Sequence, residues 1–129
     1  KLVSKLITIK KSGHCDIVTT MFPRTYPPGL TTEIVSLSAL KKAFNSSLSD
    51  YEREHLTPHF YRESQSYTIR NVSPEHSDAF DGLRLVVDNN VDLARARWIA
   101  CNLTANDSVD DEMRQIYTLA RKWDNLHSA

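Results

Sequence analysis

The fold is decided by the stretch Leu83-Arg84-Leu85-Val86-Val87-Asp88-Asn89-Asn90-Val91-Asp92-Leu93. Its first half, Leu83 to Val87, is a short apolar run rich in β-branched residues, which predicts a strand covered on both faces. Asp88 falls where that strand is predicted to end. Ligands bind at the carboxyl ends of strands in open α/β sheets, and a carboxylate there suits a divalent cation beside a phosphate. Aspartate is also a common turn residue, which is the simpler interpretation of Asp88.

A helix is predicted directly after this strand. Asn89 or Asn90 can accept hydrogen bonds from the first free backbone N–H groups of the helix, and Asp92 stands close to a capping box with Asn89. Further along, Ser108 and Asp111 form a second capping-box pattern before the last helix. The apolar stripes of these two helices are interpreted as core or interface, because any packed helix needs such a stripe.

The chain before this stretch alternates between helical and strand patterns. Gly13 is placed to end an opening helix, and Ser36 or Ser38 to cap a second. The predicted strands lie in Cys15–Phe22, Thr32–Leu37 and Tyr67–Val72, and helical turns lie in Tyr51–Arg62. This order predicts a mixed α/β fold.

Composition limits the classes of protein to which the chain can belong. Its 129 residues fit one domain, and 40% hydrophobic with 25% charged residues is typical of globular proteins. Lysine plus arginine (16) balances aspartate plus glutamate (16), so net charge favours neither nucleic acid nor an anionic membrane as partner. The two cysteines form no disulfide framework, and a reducing cytoplasm is the simplest location.

The chain opens inside a helical pattern. Lys1 is not a methionine, and Leu2, Leu6 and Ile9 already fall on one helix face with no capping residue in front of them. We therefore expect Lys1 to be a cut point in a longer protein.

Two histidines raise the hypothesis of a zinc site. His55 and His59 are four residues apart, a spacing that places two ligands on one helix face. No third ligand follows at a fixed offset, and structural or capping histidines are much commoner than metal ligands. A zinc-dependent hydrolase is therefore only an alternative.

Four stretches occur in an order that resembles a known enzyme family. They are similar to the C-terminal half of the cytidylyltransferase-like sugar nucleotidyltransferases, in particular the spore-coat polysaccharide biosynthesis F-type proteins, relatives of the CMP-Kdo and CMP-sialic acid synthetases. The resemblance covers Lys1 to about Arg97. The stretches are Pro23-Arg24-Thr25-Tyr26-Pro27-Pro28-Gly29-Leu30, Glu33-Ile34-Val35-Ser36, Tyr51-Glu52-Arg53-Glu54-His55-Leu56-Thr57-Pro58, and Leu85-Val86-Val87-Asp88 with Asp92-Leu93.

The resemblance implies a Rossmann-like, GT-A-type α/β fold with a mixed sheet and flanking helices, of which residues 1–129 form the C-terminal half. It implies an enzyme that uses CTP and Mg²⁺ to join CMP to an acidic sugar with release of pyrophosphate, for surface polysaccharide biosynthesis. Asp88 matches a metal-binding aspartate. The implied substrate-binding residues are Arg24, Glu33, Arg53 and His55; an Arg53–Glu54 ion pair is the structural alternative for Arg53.

The sequence departs from the family pattern at three places. The N-terminal nucleotide-binding half is absent, Gly29-Leu30-Thr31 stands where the family has Gly-Leu-Asp, and the turn after Asp88 is changed. We therefore expect this part alone to be inactive. The alternative to an enzyme is a non-catalytic dimerisation or interaction module on a degenerate nucleotidyltransferase scaffold. Its closing helices and the Tyr51–Val72 region would supply the apolar surface, and a homodimer is the expected form.

Overall fold

The computed structural model describes residues 1–75, 80, 82–105 and 107–127, and the chain divides into two compact units. The sheet unit comprises Leu2–Pro23 and Thr32–Val72, and the helical unit comprises Lys1, Arg24–Thr31 and Ser73–Ala129. The elements, in chain order, are α1 (Leu2–Ser12), β1 (Ile17–Thr19), β2 (Glu33–Val35), α2 (Leu37–Phe44), α3 (Asp50–Glu54), α4 (Thr57–Arg62), a 3₁₀ turn (Ser64–Ser66), β3 (Ile69–Asn71), α5 (Asn90–Asn102) and α6 (Val109–His127). The predicted mixed α/β fold, a mixed sheet with flanking helices, is confirmed.

The sheet unit is built around a three-stranded sheet in which β1 is the central strand. The strand order is β2-β1-β3, with β1 antiparallel to β2 and parallel to β3. All three residues of β1 are fully buried. The three strands predicted in this part of the chain are therefore confirmed, each at three residues.

Helices cover this sheet with apolar side chains. Leu2 and Leu6 are the buried residues of α1, which packs against β1 and β2. A second cluster brings α2, α4 and the sheet together through Ile17, Ala39, Ala43, Phe60 and Tyr67. Burying aliphatic and aromatic side chains of this size contributes about 1.5–3 kcal/mol each relative to leaving them exposed.

Local capping fixes where the helices of the sheet unit begin. The Ser36 side chain accepts a hydrogen bond from the Ala39 N–H and caps α2, as predicted. Ser49 and Glu52 form a capping box at the start of α3. Pro58 lies in the first turn of α4, where its missing N–H costs nothing.

The helical unit is centred on the packing of α5 against α6. Asn89 caps α5 and makes a capping box with Asp92, as predicted, and the Ser108 hydroxyl accepts from the Asp111 N–H before α6. Ile99 of α5 is buried, and α6 buries Met113, Tyr117 and Ala120. Within the described ranges, neither these two helices nor the others are long and apolar enough to span a bilayer.

The strand predicted over Leu83–Val87 is wrong. Described residues 82–88 form no ladder with another strand, and Val87 is 49% exposed. The Leu85 N–H donates instead to the Pro28 carbonyl, at 2.7 Å. Pro27 and Pro28 have no backbone N–H groups and cannot donate hydrogen bonds to the 83–87 segment. A regular ladder of hydrogen bonds therefore cannot form between the two segments. Asp88 consequently lies in an irregular segment before α5, and not at a strand end.

Gly29 permits this close approach of two backbone segments. Its φ is +98°, and a Cβ placed on it would lie 2.3 Å from the Leu85 carbonyl carbon. Only glycine lacks the atom that would collide there, and only glycine adopts this φ without strain. Gly82, with φ +72°, has open space around the position of a Cβ.

We expect Gly29→Ala to destabilise the protein by at least about 3 kcal/mol. The alanine would be strained by the positive φ, and its Cβ would also collide with the Leu85 backbone. Gly82→Ala is the matched control, since it introduces the strain without the collision and should cost only about 1–2 kcal/mol. Urea unfolding of the two variants measures the difference. Equal losses would show that the contact with Leu85 imposes no constraint.

Candidate functional site at the carboxyl ends of β1 and β3

The sheet register brings three polar residues to one edge of the sheet unit. Thr19 pairs with Glu33 of β2 on one side and with Asn71 of β3 on the other. Because β1 and β3 are parallel, their carboxyl ends meet at this edge, and ligands of α/β proteins bind at such edges. The residues at this edge are therefore the candidate site.

Tyr61 of α4 connects two of these residues through a directed chain of hydrogen bonds. The Tyr61 hydroxyl donates to the Glu33 carboxylate. Its single hydrogen is thereby used, so it accepts from the Thr19 hydroxyl, whose oxygen lies 2.8 Å away. The Thr19 oxygen in turn accepts from the Met21 N–H, at 2.9 Å. Each group of the chain thus has a fixed role as donor or acceptor.

Burial raises the pKa of Tyr61 above its usual range, and the hydrogen bond to the Glu33 carboxylate raises this pKa further. Both causes act in the same direction because each disfavours a phenolate: the first by removing water, the second by placing an acceptor beside it. Tyr61 is therefore a permanent donor at physiological pH and holds one carboxylate oxygen of Glu33 in place.

An aromatic surface adjoins the hydrogen-bonded chain. The Phe22 ring stacks on the Tyr61 ring, with centroids 4.8 Å apart and planes inclined by 12°. The Asn71 side chain holds this segment, since it accepts from the Phe22 N–H at 3.2 Å and donates to the Pro23 carbonyl at 3.0 Å. Phe22 nevertheless remains 41% exposed. The edge thus presents a carboxylate next to a partly exposed aromatic ring.

Of the four predicted substrate-binding residues, Glu33 alone belongs to this chain of hydrogen bonds. Arg24 is exposed and belongs to the helical unit. Arg53 is exposed on α3, and the exposed His55 imidazole lies 3.9 Å from the Glu54 carboxylate. The Arg53–Glu54 ion pair considered from the sequence does not form among the described residues. The roles of Arg24, Arg53 and His55 in substrate binding stay predictions.

The two histidines of the zinc hypothesis do not share a helix face. α3 ends at Glu54 and α4 begins at Thr57, so His55 lies between the helices. His59 is buried, with its Nε2 3.2 Å from the Tyr67 hydroxyl and its Nδ1 3.7 Å from the Glu52 carboxylate. In the part of the chain that the structure describes, no three metal-ligating side chains come together. The described residues therefore give the zinc hypothesis no support.

Glu52, which holds His59, is itself fixed by the capping box of α3. The Ser49 backbone N–H donates to the Glu52 carboxylate at 2.9 Å, and this bond is the largest cause that lowers the pKa of Glu52. The guanidinium of Arg62 lies 3.0 Å from the same carboxylate. These contacts give Glu52 and His59 a structural role in joining α3 to α4.

Asp88, the predicted metal ligand, is exposed and paired with Arg84 four residues earlier. The Asp88 N–H donates to the Asp92 carboxylate, which also receives the Asn89 N–H as part of the capping box. Asp92 is therefore occupied by backbone donors, and the Asp88 carboxylate is engaged by the Arg84 guanidinium. Mg²⁺ binds proteins through one or two carboxylates together with water and substrate phosphates. The role of Asp88 as one such ligand stays a prediction.

Sequence reasoning missed Tyr61, Thr19, Phe22 and Asn71. Tyr61 stands in the stretch Tyr51–Arg62, for which the sequence predicted only helical turns. The other three lie at or just beyond the ends of correctly predicted strands. The rule that ligands bind at carboxyl ends of parallel strands would have selected them, had the parallel pairing of β1 with β3 been known.

Comparison with known proteins supports the fold assignment. The chain is similar in fold to a cytidylyltransferase. The solved structure of that enzyme, from Leptospira borgpetersenii serovar Hardjo-bovis (strain JB197), matches 95% of this chain with a TM-score of 0.74 at 19% identity. This likeness shows the fold, and the chain spans 51% of that structure's length.

A curated relative matches a shorter part of the chain. An uncharacterised protein of Methanocaldococcus jannaschii is 27% identical over 88 residues, which are 68% of this chain and 35% of the relative. The chain therefore spans about a third of the length of the curated relative. A comparison with family models finds no match.

We expect Tyr61→Phe to destabilise the protein by about 1 kcal/mol, because it leaves the Thr19 hydroxyl and Glu33 without their shared partner while keeping the ring stack. Tyr51→Phe is the matched control, since Tyr51 is exposed and its hydroxyl makes no hydrogen bond within the described residues. Chemical unfolding measures both variants. A loss no larger than that of the control would contradict the hydrogen-bonded chain.

Stability should fall at alkaline pH. Burial, together with the nearby Asp110 carboxylate, raises the pKa of Tyr26 to about 12, and burial also raises the pKa of Tyr61 and Tyr67. In the unfolded chain tyrosines lose their protons near pH 10, so raising the pH above about 10 favours the unfolded state. Below that value these groups make stability independent of pH.

Urea unfolding between pH 9 and pH 11 measures this effect, and Tyr61→Phe should show a smaller decrease than the wild type. A tyrosinate absorbance titration should show proton loss delayed in the folded protein and complete near pH 10 in urea. Equal titration in the folded and unfolded states would contradict the raised pKa values.

Proposed function

We propose that the protein containing this chain is a sugar nucleotidyltransferase, which joins CMP from CTP to an acidic sugar with release of pyrophosphate for surface polysaccharide biosynthesis. The observation that carries the proposal is the similarity in fold to a cytidylyltransferase over 95% of the chain. The carboxyl-end site supports it, because its polar side chains lie where α/β proteins bind ligands. Since the chain spans only about half of that structure, the activity is proposed for the whole protein.

Within this proposal, Glu33 and Phe22 bind the sugar. The Glu33 carboxylate, held by Tyr61 through one oxygen, accepts hydrogen bonds from sugar hydroxyls with the other. The partly exposed ring of Phe22 packs against the apolar face of the sugar ring. These contacts fix the acceptor in position, and positioning supplies much of the rate enhancement in phosphoryl-type transfer.

Asp88 is proposed to hold Mg²⁺ in the complete protein. When bound, the ion would neutralise charge on the phosphates of CTP. Asp88 would supply one carboxylate ligand, and its present partner, the Arg84 guanidinium, would have to release it. Arg84 remains close enough in sequence to pair with a phosphate oxygen afterwards, as arginine commonly does.

The test uses the complete protein and measures pyrophosphate release from CTP with a panel of acidic sugars. We expect Asp88→Asn to raise the Mg²⁺ concentration required for half-maximal rate by about tenfold or more, because a lost charged contact costs about 1.5–3 kcal/mol. Asp107→Asn is the control, since Asp107 is an exposed aspartate outside the Asp88 segment. An unchanged Mg²⁺ requirement would remove Asp88 from the metal site.

Absence of pyrophosphate release with every acidic sugar would count against the enzyme proposal.

The second candidate, an interaction module, has its own support in an apolar groove of the helical unit. Its volume is about 200 Å³, and its lining includes Leu30, Leu85, Ile99 and Leu103. A homodimer through this face is the expected form. Sedimentation as a monomer at high concentration would contradict this candidate.

A further inference from the structure

A cleft of the sheet unit lies at the opposite end of β1 and β3 from the carboxyl-end site. Its volume is about 430 Å³, and it is bordered by residues that precede the two strands, such as Cys15 and Thr68. Lys10, Lys11 and His14 line it together with the hydroxyl residues Ser36 and Ser38. The lining is thus rich in groups that donate hydrogen bonds.

The lining of this cleft carries two lysines, Lys10 and Lys11, and one carboxylate, Asp16, although the whole chain is neutral. Residues 1–15 contain four lysines and no aspartate or glutamate. The first acidic residue is Asp16, and one of its carboxylate oxygens accepts from the Thr68 N–H at 2.9 Å. The lysines of the cleft therefore exceed its carboxylates in number.

The Lys10 ammonium group has no counter-charge within the part of the chain that the structure describes. The side chain is half-buried, and its Nζ donates to the Cys15 carbonyl at 2.7 Å. Among the described residues no carboxylate lies within 4.0 Å of it. An ammonium has three hydrogens to donate, and a partly desolvated cation is stabilised by an anion at close range. The Lys10 ammonium group can therefore bind an anion.

Ser36 and Ser38 provide a neutral donor on the other side of the cleft. Their hydroxyl oxygens lie 3.0 Å apart, so one hydroxyl hydrogen is shared between them and the other is left to donate. Ser36 already accepts from the Ala39 N–H at 3.1 Å. A ligand that meets this pair must therefore accept a hydrogen bond, which an anion does.

The two lysines also stabilise the end of α1, but this effect does not account for the other groups of the cleft. Lys10 and Lys11 lie in the last turn of α1, where cations stabilise the helix dipole. That effect requires neither the serine pair nor the placement of the Lys10 ammonium on the Cys15 carbonyl, beyond the end of the helix. The combination of both lysines with the hydroxyl pair is characteristic of an anion-binding site.

We propose that this cleft binds the phosphate group of a small phosphorylated molecule. Lys10 and Lys11 supply the positive charge, and the Ser36–Ser38 pair supplies a hydrogen bond to a phosphate oxygen. The proposal is independent of nucleotidyltransferase activity, because the cleft lies at the amino ends of the parallel strands and the carboxyl-end site at their other ends.

Nuclear magnetic resonance of the complete ¹⁵N-labelled protein tests the proposal, with inorganic phosphate and glycerol 3-phosphate as probes at constant ionic strength. We expect saturable shifts of the Gly13, Cys15 and Ser38 amide signals. Equal affinity for both probes would identify the phosphate group alone as the ligand, and tighter binding of the ester would add its organic part. Absence of saturable shifts at these three amides with both probes would overturn the proposal.

Variants locate the binding on the lysines. We expect the double variant Lys10→Gln, Lys11→Gln to weaken phosphate binding by about tenfold or more. Its matched control is Lys41→Gln with Lys122→Gln, two exposed lysines outside the cleft. Lys11→Gln alone changes only an exposed side chain and keeps the test valid if the double variant does not fold. Unchanged affinity in the cleft variants would overturn the proposal.

Discussion

The pairing of β1 on both sides is the constraint on which the sheet unit depends. β1 has only three residues, and all are fully buried. α1 contacts β1, and Ile17 of β1 belongs to the apolar cluster with α2 and α4. Because β1 is antiparallel to β2 and parallel to β3, Thr19 must stand between Glu33 and Asn71. A slip of one residue would turn Thr19 to the opposite face and separate it from Tyr61. Core packing and the candidate site are therefore set by the same register.

In the candidate site, the same hydroxyl groups stabilise the fold and orient a carboxylate that could bind a ligand. The Thr19 and Tyr61 hydroxyls hold α4 against the sheet, and they also orient the Glu33 carboxylate. Burial of Tyr61 strengthens this arrangement, since a neutral phenol can only donate to the carboxylate that it meets. Prepositioned side chains of this kind lower the entropy cost of binding a substrate.

The sequence predicted most of the elements because their signals are local. The serine cap of α2, the Asn89–Asp92 capping box and the strands around Ile17, Ile34 and Arg70 all depend on residues close in the chain. The strand at 83–87 failed because its partner segment carries Pro27 and Pro28, which a pattern within 83–87 cannot reveal.

The candidate site was harder to predict for the same reason. Tyr61 lies 28 residues from Glu33 and 42 from Thr19, so no spacing rule connects them. Glu33 was selected through the family resemblance, and its contact with Tyr61 became visible only with the register of the sheet. The sequence predicted Asp88 at the end of a strand that does not form. Its position directly before the cap of α5 was nevertheless predicted correctly.

The two compact units are interleaved along the chain, because Arg24–Thr31 belongs to the helical unit while the segments on both sides of it belong to the sheet unit. No single cut can therefore separate the two units from each other. A truncation after Val72 would keep the whole sheet unit but leave the Arg24–Thr31 loop without Leu85, the residue that meets Gly29. To obtain the sheet unit alone, one would have to replace this loop by a short designed connection between Pro23 and Thr32.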